Sequence, residues 1–196
     1  MDFHLSYSKV FSESNKSKLL LALPPGAQDE ADASAYESWL PRLDAAGWAT
    51  LIPLAPKGKS FFHGSETKLP GLMDFVLSQL ETKKKSFALF GASNGGISAF
   101  RVGTLYPERF RSITVLPGWP KPADEARLEK ILQLPITFIV GEKDEPWRKK
   151  SEIFCEGINQ MGGKASLEIV PNEDHFVVLR YPAKKLITLF EREIDS

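Results

Sequence analysis

Three residues far apart in the chain have the types that acyl transfer requires: Ser93, Asp144 and His175. A serine hydroxyl is a weak nucleophile until a base accepts its proton. An imidazole does this best when a carboxylate fixes its tautomer and orientation. Ser93 stands at the centre of Gly91-Ala92-Ser93-Asn94-Gly95, a G-x-S-x-G pattern. Glycines two residues to either side allow a strand-to-helix turn too tight for bulkier side chains, and that turn lifts the hydroxyl out of the sheet edge. The apolar run 87–90 before it and the helix-compatible run 97–100 after it supply the strand and the helix. Such a helix aims its positive end at the serine, and the Asn94 backbone N–H then faces a developing oxyanion. A phosphate-binding loop fits less well, because no Lys-Ser/Thr pair follows and G-x-G-x-x-G is absent.

Of the three histidines, His4, His63 and His175, only His175 follows this turn. It lies in the polar stretch Pro171-Asn172-Glu173-Asp174-His175-Phe176, after the last apolar strand-like run. The orienting acid belongs in the loop after the preceding strand, Gly141-Glu142-Lys143-Asp144-Glu145. Asp144, three residues past Gly141, is the leading choice, with Glu142 and Glu145 as competitors. The loop Pro24-Pro25-Gly26-Ala27-Gln28 is placed to supply a second oxyanion donor, the Ala27 backbone N–H, with Gln28 as its rival.

Other residues are candidates for binding substrate. Gln28 is one. His63, in Lys59-Ser60-Phe61-Phe62-His63-Gly64-Ser65, either lines the site edge or faces solvent. Trp119 and Trp147 each follow a strand ending near the site and either form an acyl pocket or pack on neighbouring loops. No His/Cys/Asp cluster has metal-ligand spacing, so neither a metal nor a cofactor is expected. Cys155 is the only cysteine, so no intramolecular disulfide forms; it reads as a buried structural thiol.

These residues need a scaffold, and the hydrophobic pattern describes one. Short apolar runs at 19–23, 49–54, 87–90, 113–116, 136–140 and 167–170 read as strands covered on both faces. Leu69, Leu72, Met73, Val76, Leu77 and Leu80 fall on one helical face. Phe154, Ile158 and Met161 form a second stripe, stopped by Gly162-Gly163, and Leu186, Ile187, Phe190 and Ile194 form a third. The stretch around Tyr36, Trp39, Leu40 and Leu43 also reads as helical, with Pro41 obscuring its start. Strands alternating with helices predict one α/β domain over 1–196, with a mostly parallel, doubly wound sheet and helices on both faces. An antiparallel edge strand is expected at 4–10, and Lys83-Lys84-Lys85 reads as a solvated turn. The interval from Leu116 to Ile136 holds one short helix, 123–132, which leaves no room for a large cap.

Composition narrows the function classes. The 196 residues are 42% hydrophobic and 26% charged, enough for a real core and too ordered in pattern for wholesale disorder. Lys plus Arg and Asp plus Glu both number 25, so there is no positive surplus for nucleic acid or an anionic membrane surface. No run of about 18 apolar residues offers a membrane span. The N-terminal segment lacks a signal-peptide pattern, so a cytoplasmic location is expected.

The motifs Gly91-Ala92-Ser93-Asn94-Gly95-Gly96, Gly141-x-x-Asp144 and His175, in that order, resemble small esterases of the α/β-hydrolase superfamily. The likeness is to the phospholipase/carboxylesterase, dienelactone-hydrolase-like and polyhydroxybutyrate-depolymerase-like groups, over about residues 19–190. Two positions depart from that pattern: Pro24-Pro25-Gly26-Ala27 stands where many relatives have His-Gly, and Glu173-Asp174 precede the histidine where a glycine is common. The resemblance implies an α/β-hydrolase fold and cleavage of esters or thioesters through an acyl-enzyme; the missing cap leads to the expectation that the substrates are small and soluble. The alternatives are a peptidase or lactonase on the same triad, or a non-catalytic protein of this fold that binds a ligand or partner. Acidic residues beside His175 are expected to favour its protonated form and move the acidic limb of the pH profile upward.

Overall fold

The computed structural model describes residues 1–9, 11, 18–57, 59–80, 82 and 85–192. Its centre is a seven-stranded sheet: β1 (Phe3–Ser6), β2 (Leu19–Leu23), β3 (Ala49–Pro53), β4 (Phe87–Gly91), β5 (Phe110–Val115), β6 (Pro135–Gly141) and β7 (Lys164–Val170). The spatial order is β1-β3-β2-β4-β5-β6-β7. All neighbouring pairs are parallel except β1 with β3. An antiparallel edge strand is present over Phe3–Ser6 and is shorter than the expected 4–10: residues 7–9 lie outside it, and Val10 falls outside the described residues, as do Lys83, Lys84 and Ile194.

Every residue of β2, β3 and β4 is buried, because apolar side chains leave both faces of these strands and helices cover both. Leu19, Leu21 and Leu23 of β2 and Phe87 and Leu89 of β4 share one core cluster with the buried faces of α3 (Leu69–Leu80), α4 (Asn94–Leu105) and α6 (Glu145–Gln160), the last of which lies on β6 and β7. Leu20, Ala22, Ala88 and Phe90 face the opposite layer, where Tyr36 and Trp39, Leu43 of α2 (Leu40–Ala45) and Leu186 and Phe190 of α8 (Ala183–Arg192) close the core. Three further helices are single turns: α1 (Glu30–Ala33), α5 (Pro122–Glu125) and α7 (Val177–Arg180).

Several elements differ in extent from the sequence pattern; β5, for one, begins at Phe110, three residues before the apolar run at 113–116. The stretch around Tyr36 divides into a 3₁₀ turn, Ser34–Tyr36, and α2, whose first turn holds Pro41, where a missing N–H costs nothing. The interval before β6 contains α5 and a 3₁₀ turn, Leu128–Ile131, instead of one helix, and no cap domain is built there. Strand β7 begins at Lys164; its first half alternates exposed and half-buried residues, so an apolar run does not mark it.

The chain runs outward from β2 to β3, then returns across β2 to add β4 on its other side. At that reversal the loops after β2 and β4 diverge at the carboxyl ends of adjacent strands, leaving a crevice. Register pairs Leu23 with Gly91, so the loops 24–28 and 92–93 leave the sheet at the same level. No helix among the described residues is long and apolar enough to cross a membrane.

Candidate active site

Ser93 sits in the turn between β4 and α4 with φ 53° and ψ −118°, a backbone conformation that non-glycine residues seldom hold. The turn closes only because its flanks lack side chains. A Cβ on Gly91 would lie 2.1 Å from the Gly95 carbonyl oxygen, and one on Gly95 would lie 2.0 Å from the Leu23 carbonyl oxygen. Strain held in this way by surrounding packing is characteristic of functional positions. The Ser93 hydroxyl lies 3.0 Å from His175 Nε2, and His175 Nδ1 lies 2.6 Å from Asp144 Oδ2. A neutral imidazole that donates its Nδ1 proton to Asp144 presents Nε2 as the acceptor for the serine hydroxyl.

Asp144 and His175 are brought together by the loops after β6 and β7, which are hydrogen-bonded to each other. Glu142 N–H donates to the Val170 carbonyl at 3.0 Å, and Lys143 N–H donates to that of Glu173 at 2.8 Å. The approach is close enough that a Cβ on Gly141 would meet the Asp174 and Glu173 carbonyl oxygens at 2.5 Å. Asp144 occupies the N-cap of α6, yet its carboxylate makes no cap hydrogen bond and turns to His175 instead. Its side chain is 7% exposed against 33% for that of His175, so water reaches the imidazole but scarcely the acid. The competitors point elsewhere: Glu142 accepts from the Asn172 N–H at 2.9 Å, and Glu145 pairs with Lys149 at 2.6 Å. The Lys149 ammonium holds the Glu145 carboxyl below its ordinary value.

The two backbone N–H groups expected to serve as donors belong to the serine turn and to the loop after β2. Asn94 N–H opens α4 and has no acceptor in a preceding helical turn. Ala27 is exposed, and its N–H makes no backbone hydrogen bond among the described residues. The Asn94 carboxamide donates to the Gly26 carbonyl at 2.8 Å and so ties the Ala27 loop to the serine turn. Gln28 is different. Its side chain is fully buried, with Nε2 donating to the Pro24 carbonyl and Oε1 accepting from Phe61 N–H and the Ser98 hydroxyl. Its own N–H is given to Asp32 and to the Pro25 carbonyl. With these groups committed inside the molecule, Gln28 has neither a side chain for substrate nor a free donor for an oxyanion; it is a strut joining three segments.

Around the imidazole the rings form a continuous wall. Trp119 and Trp147 have centroids 4.1 Å apart, Trp147 lies 4.7 Å from His175, and Phe176 lies 6.3 Å from it on edge. His63 has no ring contact with this wall: it is exposed, bonded to the Ser60 hydroxyl at 3.2 Å and tilted against the Phe62 ring at 4.3 Å. Glu173 and Asp174 are both engaged by Arg180, at 2.6 and 2.5 Å. The hydrogen bond from Arg180 holds the Asp174 carboxyl below its ordinary value. The acidic company of His175 is thereby partly neutralised, which the linear sequence around the histidine does not reveal.

Sequence reasoning overlooked Tyr36. Its hydroxyl donates to the Leu23 carbonyl at 2.6 Å beneath the serine turn, and burial pushes its pKa well above the ordinary tyrosine value. The signal was absent because Tyr36 lies in a short 3₁₀ turn with no motif around it. Among the described residues no group of three or more His, Cys, Asp or Glu is placed to hold a metal.

No family model matches the chain, and no curated protein matches it by sequence. Solved structures do. A dienelactone hydrolase from Anabaena variabilis superposes with a TM-score of 0.69 at 21% identity, covering 88% of this chain and 83% of that one. An S-formylglutathione hydrolase from Agrobacterium tumefaciens gives 0.72 at 13% identity, covering 97% and 89%. A poly(3-hydroxybutyrate) depolymerase from Bordetella parapertussis gives 0.71 at 14% identity, covering 97% and 87%. With the strand order, the parallel pairing and helices on both faces, these likenesses establish that the chain has the α/β-hydrolase fold.

Proposed function

We propose that this protein is a serine hydrolase that cleaves carboxylic ester or thioester bonds of small, soluble substrates through an acyl-enzyme. The observation that carries the reading is the unbroken hydrogen-bonded chain from Ser93 Oγ through His175 to Asp144, built on a strained serine turn. Ser93 Oγ attacks the acyl carbon while its proton passes to His175 Nε2, and the carbonyl π electrons move onto oxygen. The Asn94 and Ala27 N–H groups receive that oxyanion. Collapse expels the alcohol or thiol, which takes the proton from the imidazolium and leaves Ser93 acylated. Water, activated by the same imidazole, then releases the acid. Asp144 keeps its negative charge throughout and steadies the imidazolium.

Small substrates are favoured because only α5 and one 3₁₀ turn occupy the interval after β5. The names of the structural neighbours, which include a dienelactone hydrolase and an S-formylglutathione hydrolase, support ester or thioester chemistry over peptide cleavage.

A fluorophosphonate probe should label the wild-type chain and spare folded Ser93→Ala. Hydrolysis of nitrophenyl acetate should fall by about 10³-fold or more in that variant. Label retained on Ser93→Ala would move the nucleophile elsewhere. A folded wild-type protein that neither labels nor hydrolyses short esters would bring forward the non-catalytic reading.

A further inference from the structure

We propose that Trp147 is a positioning residue for the base, holding the His175 imidazole by its ring and favouring the imidazolium that forms when Ser93 loses its proton. The inference rests on the reading of His175 as the base. It begins with spacing: Trp147 follows Asp144 by three residues, across the N-cap and first turn of α6. Residues three apart on a helix project from the same side. One helix start therefore presents two grips on one imidazole, the Asp144 carboxylate on Nδ1 at 2.6 Å and the Trp147 ring at 4.7 Å between centroids, tilted 50°. Trp119 lies against Trp147 at 4.1 Å, so the indole is also held by the loop after β5.

The chemistry follows from the ring's charge distribution. An aromatic face is negative, and indole has the strongest such face among the side chains. It interacts weakly with neutral imidazole and attractively with imidazolium. The interaction is thus stronger after proton transfer than before, which is the condition for lowering a barrier instead of merely binding. Desolvation by the same ring acts in the opposite sense, but the His175 side chain is 33% exposed, so water still solvates the cation.

Other charges face His175 as well. Asp144 meets one nitrogen and the Ser93 hydroxyl the other. Glu173 and Asp174 in its own loop are paired with Arg180 of α7. From the loop after β6 and the start of α6 come Glu142, bonded to Asn172 N–H, Lys143, whose N–H is bonded to the Glu173 carbonyl, and Glu145, paired with Lys149. Arg148 of α6 pairs with Glu152. None of these groups is altered by changing Trp147, so a shift in the titration of His175 on doing so reports the ring.

The test is a proton NMR titration of the His175 ring signal, assigned by its loss in His175→Asn, in wild type, Trp147→Phe and Trp147→Leu. There are three histidines, so the signals are readily separated. The midpoint should be highest in wild type, lower in the phenylalanine variant and lowest in the leucine variant. The acidic limb of kcat/KM should move in the same order, and kcat should fall about tenfold in Trp147→Leu, within the range of a partly exposed cation–π contact, with partial rescue by Phe. Midpoints that coincide in all three proteins, or that rise in Trp147→Leu, overturn the proposal even if kcat falls, since loss of packing alone would do that. If Trp147→Leu does not fold, the comparison of wild type with Trp147→Phe decides. The titration requires no turnover, so absence of ester hydrolysis in the wild type would defeat the hydrolase reading while the midpoints still judge the ring.

Discussion

The Asn94 carboxamide donates a 2.8 Å hydrogen bond to the Gly26 carbonyl, joining the turn that carries Ser93 to the loop that carries Ala27. On the proposed reading Asn94 serves the oxyanion site twice, with its backbone N–H as donor and its side chain as the tie to the loop that holds the other donor.

Replacing that side chain should loosen the Ala27 loop without disturbing the triad. Asn94→Ala keeps the backbone N–H, so kcat for short esters should fall by about ten- to a hundredfold, less than the 10²–10³-fold loss typical of deleting a donor outright. Fluorophosphonate labelling should slow but persist. Unchanged kcat would mean that the Gly26 carbonyl needs no such tie.

Asp144, and neither of its acidic neighbours, accepts from the imidazole. Asp144→Asn should lower kcat by up to about 10⁴-fold, because an amide stabilises the wrong tautomer. Glu142→Gln and Glu145→Gln should each stay within a few-fold of wild type. A greater loss in either glutamine variant would show that the loop works in a different arrangement when substrate is bound.

Away from the triad, a buried ionic cluster joins α4 to α5 and to the loop before α3. Asp124 is fully buried, and Arg101 and Arg127 converge on its Oδ1 at 2.6 and 2.5 Å; Arg101 also lies 3.4 Å from Glu66. Asp124→Ala would leave two guanidinium groups largely enclosed without their shared acceptor. The expected cost is about 3–5 kcal/mol, read as a lower urea midpoint with the slope unchanged. A loss below about 1 kcal/mol would show that water takes over the aspartate's role.

Charge around His175 sets the fourth prediction. Glu173, Asp174 and Arg180 together carry one net negative charge; Arg180→Gln leaves two, and Glu173→Gln/Asp174→Asn leaves one positive charge. Negative charge favours the imidazolium, so the acidic limb of kcat/KM should move up in Arg180→Gln and down in the double variant. Both shifts should shrink in high salt, since the groups are exposed or nearly so. The Arg180 bond also depresses the Asp174 pKa, so whatever stability it contributes is present above the ordinary carboxylate pKa and is lost as pH falls through the lowered one. Identical limbs in all three proteins would place these charges too far from the imidazole to matter.

Much of this was legible in the linear chain, for identifiable reasons. Gly91, Ser93 and Gly95 are close in sequence, and the turn they make is dictated by sterics between near neighbours, so the pattern carries its own geometry. The strands β2, β4 and β6 announce themselves because a strand covered on both faces must be apolar throughout. Order along the chain, with His175 after both the serine turn and the acid loop, narrowed the choice of base to one residue. Where the sequence left alternatives, the missing information was directional. Asp144, Glu142 and Glu145 are chemically equivalent in a row of charges, and only the pairing of the loops after β6 and β7 turns one of them to the imidazole. Gln28 reads as a polar loop residue beside the site; only packing shows it buried as a strut. Arg180 lies five residues beyond His175 with nothing to mark it, and its hold on Glu173 and Asp174 exists because α7 folds back over their loop. Trp119 and Trp147 meet beside His175 from separate segments, and Tyr36 props the Leu23 carbonyl from a third; which rings meet is decided by the tertiary fold, because contacts between distant segments depend on where whole elements settle and not on the residues beside them.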